Sequence, residues 1–288
     1  MTPATADSNL RRRARRGLRL DTRLTTRVLE GFLLDEIGKV GFERAVVALS
    51  GGIDSALTCT LAARALGPAN VLAVLMPYRT SNPASRADAE RVVEQLGVPS
   101  TLIDVTPAVD GYLDNLDSDP SDKRRGNVMA RMRMIALFDQ SEEFGALVAG
   151  TSNKTELLLG YGTVHGDLAS AVNPIGDLYK TQVRAVAAAV NIAEPILIKP
   201  PSADLWVGQS DEDELGFSYD EADEILYLLI DEWYRPRDVI AAGYPEALVT
   251  DIVERVRRSQ FKRRPPLIAK VSDRTIDQDF RFPRDWGV

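Results

Sequence analysis

The chain has 288 residues, of which 44% are hydrophobic and 27% are charged, and its formal net charge at pH 7 is −7. This length suffices for one large α/β domain or two small ones. The net negative charge argues against an extended nucleic-acid-binding surface. No apolar run approaches the roughly 20 residues of a membrane span, and no apolar segment follows the N-terminal basic cluster as in a secretory signal. We therefore expect a cytoplasmic protein that contacts neither membrane nor nucleic acid.

The inventory of reactive side chains is narrow. The chain has one cysteine, Cys59, and one histidine, His165, which excludes an intrachain disulfide and a cysteine-rich zinc site. An enzyme of this composition must rely on carboxylates, lysine, arginine, backbone amides and a metal ion. Residues 1–20 carry a run of arginines, which we interpret as a basic, poorly ordered tail. Residues 21–288 are predicted to form a single α/β domain.

The first predicted strand leads into a loop of small residues. Residues 45–49 form an apolar run typical of a strand buried on both faces. The sequence Ser-Gly-Gly-Ile-Asp-Ser follows at 50–55, where a helix begins. Small residues leave backbone amides free to surround an anion, and a helix N-terminus carries partial positive charge. We therefore predict a phosphate-binding loop without the Walker spacing; the alternative is an ordinary glycine turn.

Strands and helices alternate along the chain. The predicted elements are further strands at 71–76, 100–105 and 146–149, helices at 20–40, 54–66, 83–96 and 126–138, and a polar loop at 110–125. This alternation predicts an α/β fold with a doubly wound parallel sheet and flanking helices. Ligands of such sheets bind beyond the carboxyl ends of the strands.

A second polar cluster follows the fourth predicted strand. The sequence Gly-Thr-Ser-Asn-Lys-Thr-Glu spans 150–156 and includes Thr151 and Glu156. Glu156 and Asp54 form a natural carboxylate pair for Mg²⁺, which takes few protein carboxylates and keeps phosphate oxygens as ligands. A helix cap from the same stretch is compatible with this role. Lys180 lies in the first turn of a helix predicted to reach residue 190, where its positive charge is unfavourable next to the positive end of the helix dipole. We therefore expect Lys180 to have an anionic partner such as a phosphate.

The C-terminal part is predicted to contain a functional loop and two amphipathic helices. Residues 157–177 form a predicted connection that is rich in glycine and longer than most connections in a compact domain. This length favours a functional loop. The acidic stretch 206–215 is interpreted either as a lid over the site or as a solvated cap. Amphipathic helices are predicted at 219–234 and 245–260.

Seven motifs, in this order and spacing, resemble the ammonia-dependent NAD⁺ synthetases of the ATP-pyrophosphatase superfamily, over nearly all of residues 25–270. They lie at 50–55, 126–134, 150–156, 177–180, 201–205, 214–216 and 262–264. The resemblance implies a Rossmann-like fold of the ATP-pyrophosphatase type and a carbon–nitrogen ligase. In that reaction ATP adenylates the carboxylate of deamido-NAD⁺, Mg-pyrophosphate leaves, and ammonia displaces AMP to give NAD⁺.

The resemblance also implies roles for individual residues. Asp54, Glu156 and Lys180 are expected to be catalytic, and Asp54 and Glu156 are expected to hold Mg²⁺. The residues expected to contact ATP are Ser50, Gly51, Gly52, Asp54, Ser55, Thr151, Lys180 and Ser202. The residues expected to contact deamido-NAD⁺ are Arg131, His165, Asp167 and Lys262.

The chain departs from the family pattern at four positions. Many members have Lys, Asp, His and Thr where this chain has Val164, Ala171, Phe261 and Ser202. Either the acid is held differently, with His165 as one candidate, or the chain is a related ligase that acts on another carboxylic acid. A non-catalytic nucleotide-binding protein is the third interpretation, and the three intact predicted catalytic residues argue against it.

The resemblance further implies a homodimer. Helices at 20–40 and 126–138 are predicted to supply its interface. The chain has no room for a glutaminase domain, so we expect free ammonia, or ammonia from a separate glutaminase subunit, as the nitrogen source.

Overall fold

A parallel four-stranded sheet lies at the centre of the chain, which a computed structural model describes over residues 3–206, 208–276 and 279. The strands are β1 (Ala45–Ala48), β2 (Val71–Leu75), β3 (Ser100–Leu102) and β4 (Leu147–Ala149). Their order across the sheet is β3-β2-β1-β4, and every pair is parallel. The predicted parallel sheet is therefore confirmed.

The strand order creates a crevice beside β1. The chain runs outward from β1 through β2 to β3 and then returns to place β4 on the opposite side of β1. Ala45 consequently pairs with Val71 on one side and with Leu147 on the other. The connections that leave β1 and β4 diverge at such a switch point, and a ligand can enter between them.

Helices cover both faces of the sheet. They are α1 (Pro3–Gly17), α2 (Thr22–Gly38), α3 (Ile53–Leu66), α4 (Pro83–Leu96), α5 (Thr106–Leu113), α6 (Asp122–Phe144), α7 (Lys154–Leu159), α8 (Lys180–Ala189), α9 (Glu194–Ile198), α10 (Asp211–Leu215), α11 (Tyr219–Leu226), α12 (Pro236–Ala241) and α13 (Glu246–Arg258). A π-helical turn, Tyr227–Asp231, continues α11. None of these helices within the described ranges is long and apolar enough to cross a membrane.

Two hydrophobic clusters sandwich the sheet. Because successive side chains of a strand point to opposite faces, Val47 packs with α2, α3 and α8 while Val46 packs with α5 and α6. Both valines are fully buried. The flanking helices thus bury both faces, as predicted for a doubly wound fold. A third cluster, centred on α11, α12 and α13, lies beside this sandwich and includes Tyr219 and Ile252.

The prediction of a poorly ordered N-terminal tail is wrong for residues 3–17, because these residues form α1. Ala14 is fully buried in the third cluster. The side chains of Arg13 and Arg15 form ion pairs with Glu232 and Glu224, respectively. These partners lie more than 200 positions away in the chain, so the sequence pattern of the arginine run did not reveal them. The single domain over 21–288 stays a prediction, and residues 277–278 and 280–288 lie outside the described residues.

Other boundaries also differ from the predictions. Helix α5 occupies part of the stretch 110–125, which was predicted to be a loop, and α6 begins at Asp122 and ends at Phe144. The helix predicted at 219–234 ends as α-helix at Leu226 and continues as the π-helical turn. Helix α4 has the predicted bounds, with an Asn82 cap before it and a left-handed Gly97 after it.

Candidate active site

A cavity of about 1060 Å³ lies at the carboxyl ends of β1 and β4, where the strand order predicts a ligand. Eleven of the predicted site residues line it: Ser50, Gly52, Asp54, Ser55, Thr151, Glu156, Lys180, Ser202, Arg131, Asp167 and Lys262. Two predicted site residues, Gly51 and His165, are not among its lining residues. The structure therefore gathers the phosphate loop, the carboxylates and the predicted substrate contacts around one space.

The loop after β1 has the geometry of an anion site. The Ser55 hydroxyl accepts a hydrogen bond from the Ser50 N–H at 3.2 Å and donates to the Gly52 carbonyl at 3.0 Å. The two serine hydroxyl oxygens lie 3.1 Å apart. Gly52 caps α3 without a side-chain hydrogen bond, so the first amides of that helix lack a side-chain acceptor from the cap. Such amides, at the positive end of the helix dipole, suit a phosphate.

Gly51 shapes the loop where it packs against α4. Its φ is +80°, which favours glycine. A Cβ atom built at this position would lie 2.0 Å from the carbonyl oxygen of Ser85 on α4. Glycine is therefore required for the loop to pack against α4, and the expected direct contact of Gly51 with ATP stays a prediction.

Lys180 joins the two predicted metal ligands. Its ammonium lies 2.5 Å from Oδ2 of Asp54 and 3.1 Å from Oε1 of Glu156. Asp54 is on α3, Glu156 is on α7, and Lys180 opens α8. The predicted anionic partner of Lys180 thus consists, within the described residues, of two carboxylates. Because the lysine side chain is only 3% exposed, these ion pairs are shielded from solvent.

The burial of this cluster shifts its proton equilibria. Burial raises the pKa of Glu156 above its ordinary value, although Lys180 opposes the shift and Asp54 adds to it. Burial lowers the pKa of Lys180, but the charges of Asp54 and Glu156 outweigh burial and leave that pKa above its ordinary value. Lys180 is therefore an ammonium at neutral pH, as a phosphate contact requires.

The donor set fits Mg²⁺. Two carboxylates from different helices meet at the cavity wall, and Mg²⁺ is held in nucleotide sites by one or two carboxylates together with phosphate oxygens. No group of three or more acidic, histidine or cysteine side chains that could hold a metal ion occurs among the described residues. Asp54 and Glu156 are the residues that would hold the ion.

Asn153 connects the same two carboxylates and was missed as a site residue. Its side chain donates to Oδ1 of Asp54 at 2.9 Å and accepts from the Glu156 N–H at 3.0 Å. The Asn153 N–H in turn donates to Oε2 of Glu156 at 3.3 Å. Asn followed three residues later by Glu is a capping pattern readable from sequence, but its contact with Asp54 requires the fold. The predicted helix cap is therefore confirmed, and the metal role of Asp54 and Glu156 stays a prediction.

Three of the four predicted substrate residues, Arg131, Asp167 and Lys262, line the cavity. Lys262 donates to the carbonyl oxygens of Gly160 and Gly162, both at 2.7 Å, and Arg131 donates to the Val164 carbonyl at 3.3 Å. His165 is exposed and has a left-handed φ of 57°. The stretch 157–177 borders the cavity, but 157–159 belong to α7 and His165 lies outside the lining. The functional role of this stretch stays a prediction.

Arg131 and Arg133 both line the cavity, but Arg131 is exposed and Arg133 is half-buried. The Arg133 guanidinium donates to the Met76 carbonyl at 3.0 Å and to the Ser81 hydroxyl at 3.3 Å. Arg131 and Arg133 are too close in sequence to share one helix face. The rotation of α6 about its axis decides which arginine turns inward, and the sequence leaves that open.

The acidic stretch 206–215 is anchored at Asp211. This side chain is buried and accepts hydrogen bonds from the hydroxyls of Tyr161 and Tyr219 at 2.9 and 3.2 Å. It also accepts from the N–H of Ala203 at 3.1 Å. The interpretation as a solvated cap is wrong for Asp211, because the two tyrosines and the backbone replace water around it.

Comparisons with known proteins agree with this geometry. The sequence profile of the NAD synthase family matches residues 25–266. The NH(3)-dependent NAD(+) synthetase of Trichlorobacter lovleyi is 58% identical over 270 residues, which make up 94% of this chain and 98% of that relative.

Two solved structures are similar in fold and sequence. The NH3-dependent NAD synthetase from Campylobacter jejuni, in complex with the nitrate ion, is 34% identical with a TM-score of 0.76, covering 88% of this chain and 100% of that chain. The NMN synthetase from Francisella tularensis is 30% identical with a TM-score of 0.78, covering 87% of this chain and 99% of that chain.

Proposed function

The chain belongs to the NAD synthase family, and on that premise we propose that it makes NAD⁺ from deamido-NAD⁺, ATP and ammonia. The observation that carries the proposal is the contact of Lys180 with both Asp54 and Glu156 beside the phosphate loop. A cation and free amides stabilise departing pyrophosphate, and two carboxylates can hold the Mg²⁺ that would accompany it. The reaction needs no protein nucleophile, which fits a chain with one buried cysteine and one exposed histidine.

The first step is adenylation. A carboxylate oxygen of deamido-NAD⁺ attacks the α-phosphorus of ATP, and the bond between the α-phosphorus and the bridging oxygen breaks. The hydroxyls of Ser50 and Ser55 and the first amides of α3 bind the departing pyrophosphate, and the ammonium of Lys180 stabilises its growing negative charge. Thr151 and Ser202, which also line the cavity, contact the ATP.

Mg²⁺ is proposed to be held by Asp54 and Glu156. When bound, this ion would neutralise charge on the pyrophosphate as it leaves. Asn153 supports the site, because its side chain fixes Asp54 and its backbone N–H fixes Glu156. The metal ligands are thereby oriented before a nucleotide arrives.

The second step is amide formation. Ammonia attacks the carbonyl carbon of the adenylate, AMP leaves, and the nitrogen releases its extra proton. Arg131, Asp167 and Lys262 are proposed to hold the dinucleotide, since all three line the cavity. Val164 also lines it and stands where other members have lysine, so the dinucleotide is held here with one fewer cation at that position.

The functional unit is proposed to be a homodimer. Ile135 and Phe138 on α6 are 57% and 40% exposed, and they share a helix face with Arg131. A partner that covers this face would also border the substrate side of the cavity. Replacing both residues by glutamate is expected to convert a dimer to a monomer in light scattering, and an unchanged mass would contradict this interface.

The proposed reaction is tested by product analysis. ATP, Mg²⁺, ammonium and deamido-NAD⁺ should yield NAD⁺ and AMP with the wild-type chain and not with Asp54→Ala. A parallel reaction with nicotinic acid mononucleotide addresses the other acid suggested by the similarity to an NMN synthetase. NAD⁺ formation supports the proposal, whereas a folded, ATP-binding chain that amidates only the mononucleotide would overturn it.

The nitrogen source is tested in the same assay. Ammonium should support the reaction, and glutamine should not unless a separate glutaminase subunit is added. The cytoplasmic location stays a prediction.

A further inference from the structure

A fully buried carboxylate joins three helices behind Lys180. Asp223 lies on α11 and has no exposed surface. Its Oδ1 accepts a hydrogen bond from the Thr155 hydroxyl at 2.5 Å. Its Oδ2 accepts from the N–H and the hydroxyl of Thr181 at 2.8 and 2.7 Å. Thr155 lies in the first turn of α7 and Thr181 in that of α8, so one side chain ties both helix N-termini to α11.

The Thr155 hydroxyl links Asp223 to the backbone of Lys180. A hydroxyl has one proton to donate and two lone pairs that can accept. The proton goes to Asp223, and a lone pair accepts the backbone N–H of Lys180 at 3.0 Å. Glu156, which contacts the Lys180 ammonium, is the residue directly after Thr155. The carboxylate of Asp223 therefore sets the position of both backbone segments that carry the ion pair.

We propose that Asp223 is a positioning residue for Lys180 and acts through the Thr155 hydroxyl. The proposal rests on the role assigned above to Lys180 in stabilising pyrophosphate. Helix α8 begins at Lys180, so a shift of its first turn displaces the ammonium from the cavity wall. Small displacements of a charge that stabilises a transition state have large effects on rate.

A carboxylate is required here because every partner donates. An asparagine at 223 would keep one accepting oxygen and replace the other by an N–H₂ donor. In one orientation that donor faces the N–H of Thr181, which is itself a donor. In the other orientation it faces Thr155, whose hydroxyl proton then lacks its acceptor. Either arrangement loses a hydrogen bond between buried groups.

Isosteric variants test the proposal. Thr155→Val removes the hydroxyl, Thr155→Ser keeps it, and Asp223→Asn alters its acceptor. Thr26→Val is the matched control, because the Thr26 hydroxyl is also buried but, among the described residues, donates to the Thr22 carbonyl of its own helix and not to a site residue. The measurements are kcat and the KM for ATP in NAD⁺ formation, together with the free energy of unfolding.

We expect Thr155→Val and Asp223→Asn each to lower kcat about tenfold or more, the effect of a lost buried hydrogen bond. The KM for ATP should change less than about twofold, and Thr155→Ser should restore kcat. The double variant Thr155→Val/Asp223→Asn should be no slower than the slower single variant, because both changes interrupt the same connection. Wild-type kcat in Thr155→Val, an equal loss in Thr26→Val, or additive losses would overturn the proposal.

A crystal structure of Thr155→Val provides a readout that does not depend on catalysis. The Lys180 ammonium should lie farther from Asp54 than the 2.5 Å of the wild-type chain. An unmoved ammonium would overturn the positioning role. If the wild-type chain makes no NAD⁺, the proposed function fails, and this structural comparison still decides the positioning role separately.

Discussion

The Lys180 ammonium lies 2.5 Å from Oδ2 of Asp54, although 126 positions separate the two residues in the chain. With Glu156, whose carboxylate is 3.1 Å from the same ammonium, they form a cluster of two negative charges and one positive charge. Its net charge when all three groups are ionised is −1, and one divalent cation would change it to +1. The cluster would then attract the phosphates of ATP, which links metal binding to nucleotide binding at this position.

Replacing Lys180 tests the cation in this cluster. Lys180→Met keeps most of the side-chain volume and removes the charge. We expect kcat for NAD⁺ formation to fall by about 100-fold or more, as when one transition-state donor is removed. The free energy of unfolding should also decrease, because Asp54 and Glu156 would face each other without a counter-charge.

Lys154 provides the matched control for that change. Its ammonium binds Asp231 and Asp177 at 3.0 and 3.1 Å and is not among the groups lining the cavity. Lys154→Met should therefore keep kcat within a few-fold of the wild type. Equal losses of kcat in the two lysine variants would show that the charge of Lys180 has no special role.

Gly51 is expected to be intolerant of any side chain. Gly51→Ala places a Cβ against the Ser85 carbonyl oxygen and should displace the phosphate loop, so the Kd for ATP should rise at least about tenfold. Gly67 also has a positive φ, of 87°, but within the described part of the chain a Cβ there would meet no atom within 4 Å beyond its chain neighbours. Gly67→Ala should cost stability, about 1–3 kcal/mol for a backbone conformation that other residues rarely adopt, without changing the Kd. Isothermal titration of both variants with ATP separates the two effects, and equal Kd values would contradict the steric argument.

The metal assignment predicts a changed requirement for Mg²⁺. Asp54→Asn should raise the Mg²⁺ concentration that gives half-maximal activity by about tenfold or more, because a neutral amide is a weaker ligand for a hard cation. Asp110→Asn is the control, since Asp110 bonds to Tyr78 and Arg79 outside the cavity lining. An Mg²⁺ titration that gives the same midpoint for Asp54→Asn and the wild type would exclude Asp54 as a ligand.

The raised pKa of Asp223 predicts the direction in which the stability of the chain changes with pH. Burial raises its pKa to about 6, while hydrogen bonds from Thr155 and Thr181 oppose the shift and Asp220 adds to it. Tyr179 is a further titratable group that senses Asp223. An unfolded aspartate has a pKa of about 3.9, so the folded chain binds the proton more tightly. The resulting contribution to stability is fully present below about pH 4 and is lost as the pH rises to about 6.

Urea unfolding of the wild type and Asp223→Asn across pH 4 to 7 measures this contribution. The free energy of unfolding of the wild type minus that of the variant should decrease as the pH rises to about 6 and then stay constant. A difference that grows with pH would mean that the folded-state pKa is lowered instead.

The sequence by itself determined the sheet and the phosphate loop. Buried parallel strands are continuous apolar runs, and the run at 45–49 includes the observed β1. The small residues at 50–55 and the cap and stop residues around 83–96 also act locally, so their patterns were readable without the fold. The pairing of Asp54 with Glu156 around one site followed from the family resemblance and from the rule that strands of a parallel sheet end at one edge.

Only the tertiary structure decided which distant residues meet. Arg13 and Arg15 form ion pairs with acidic residues more than 200 positions away. The segment expected to be a tail therefore packs against the rest of the chain as α1. Asn153 reaches Asp54 across 99 positions in the sequence, and Asp223 reaches Thr155 across 68. Local patterns report the preferences of a segment for helix, strand or turn. These contacts depend instead on how the segments pack, and packing is decided by the free energy of the whole chain.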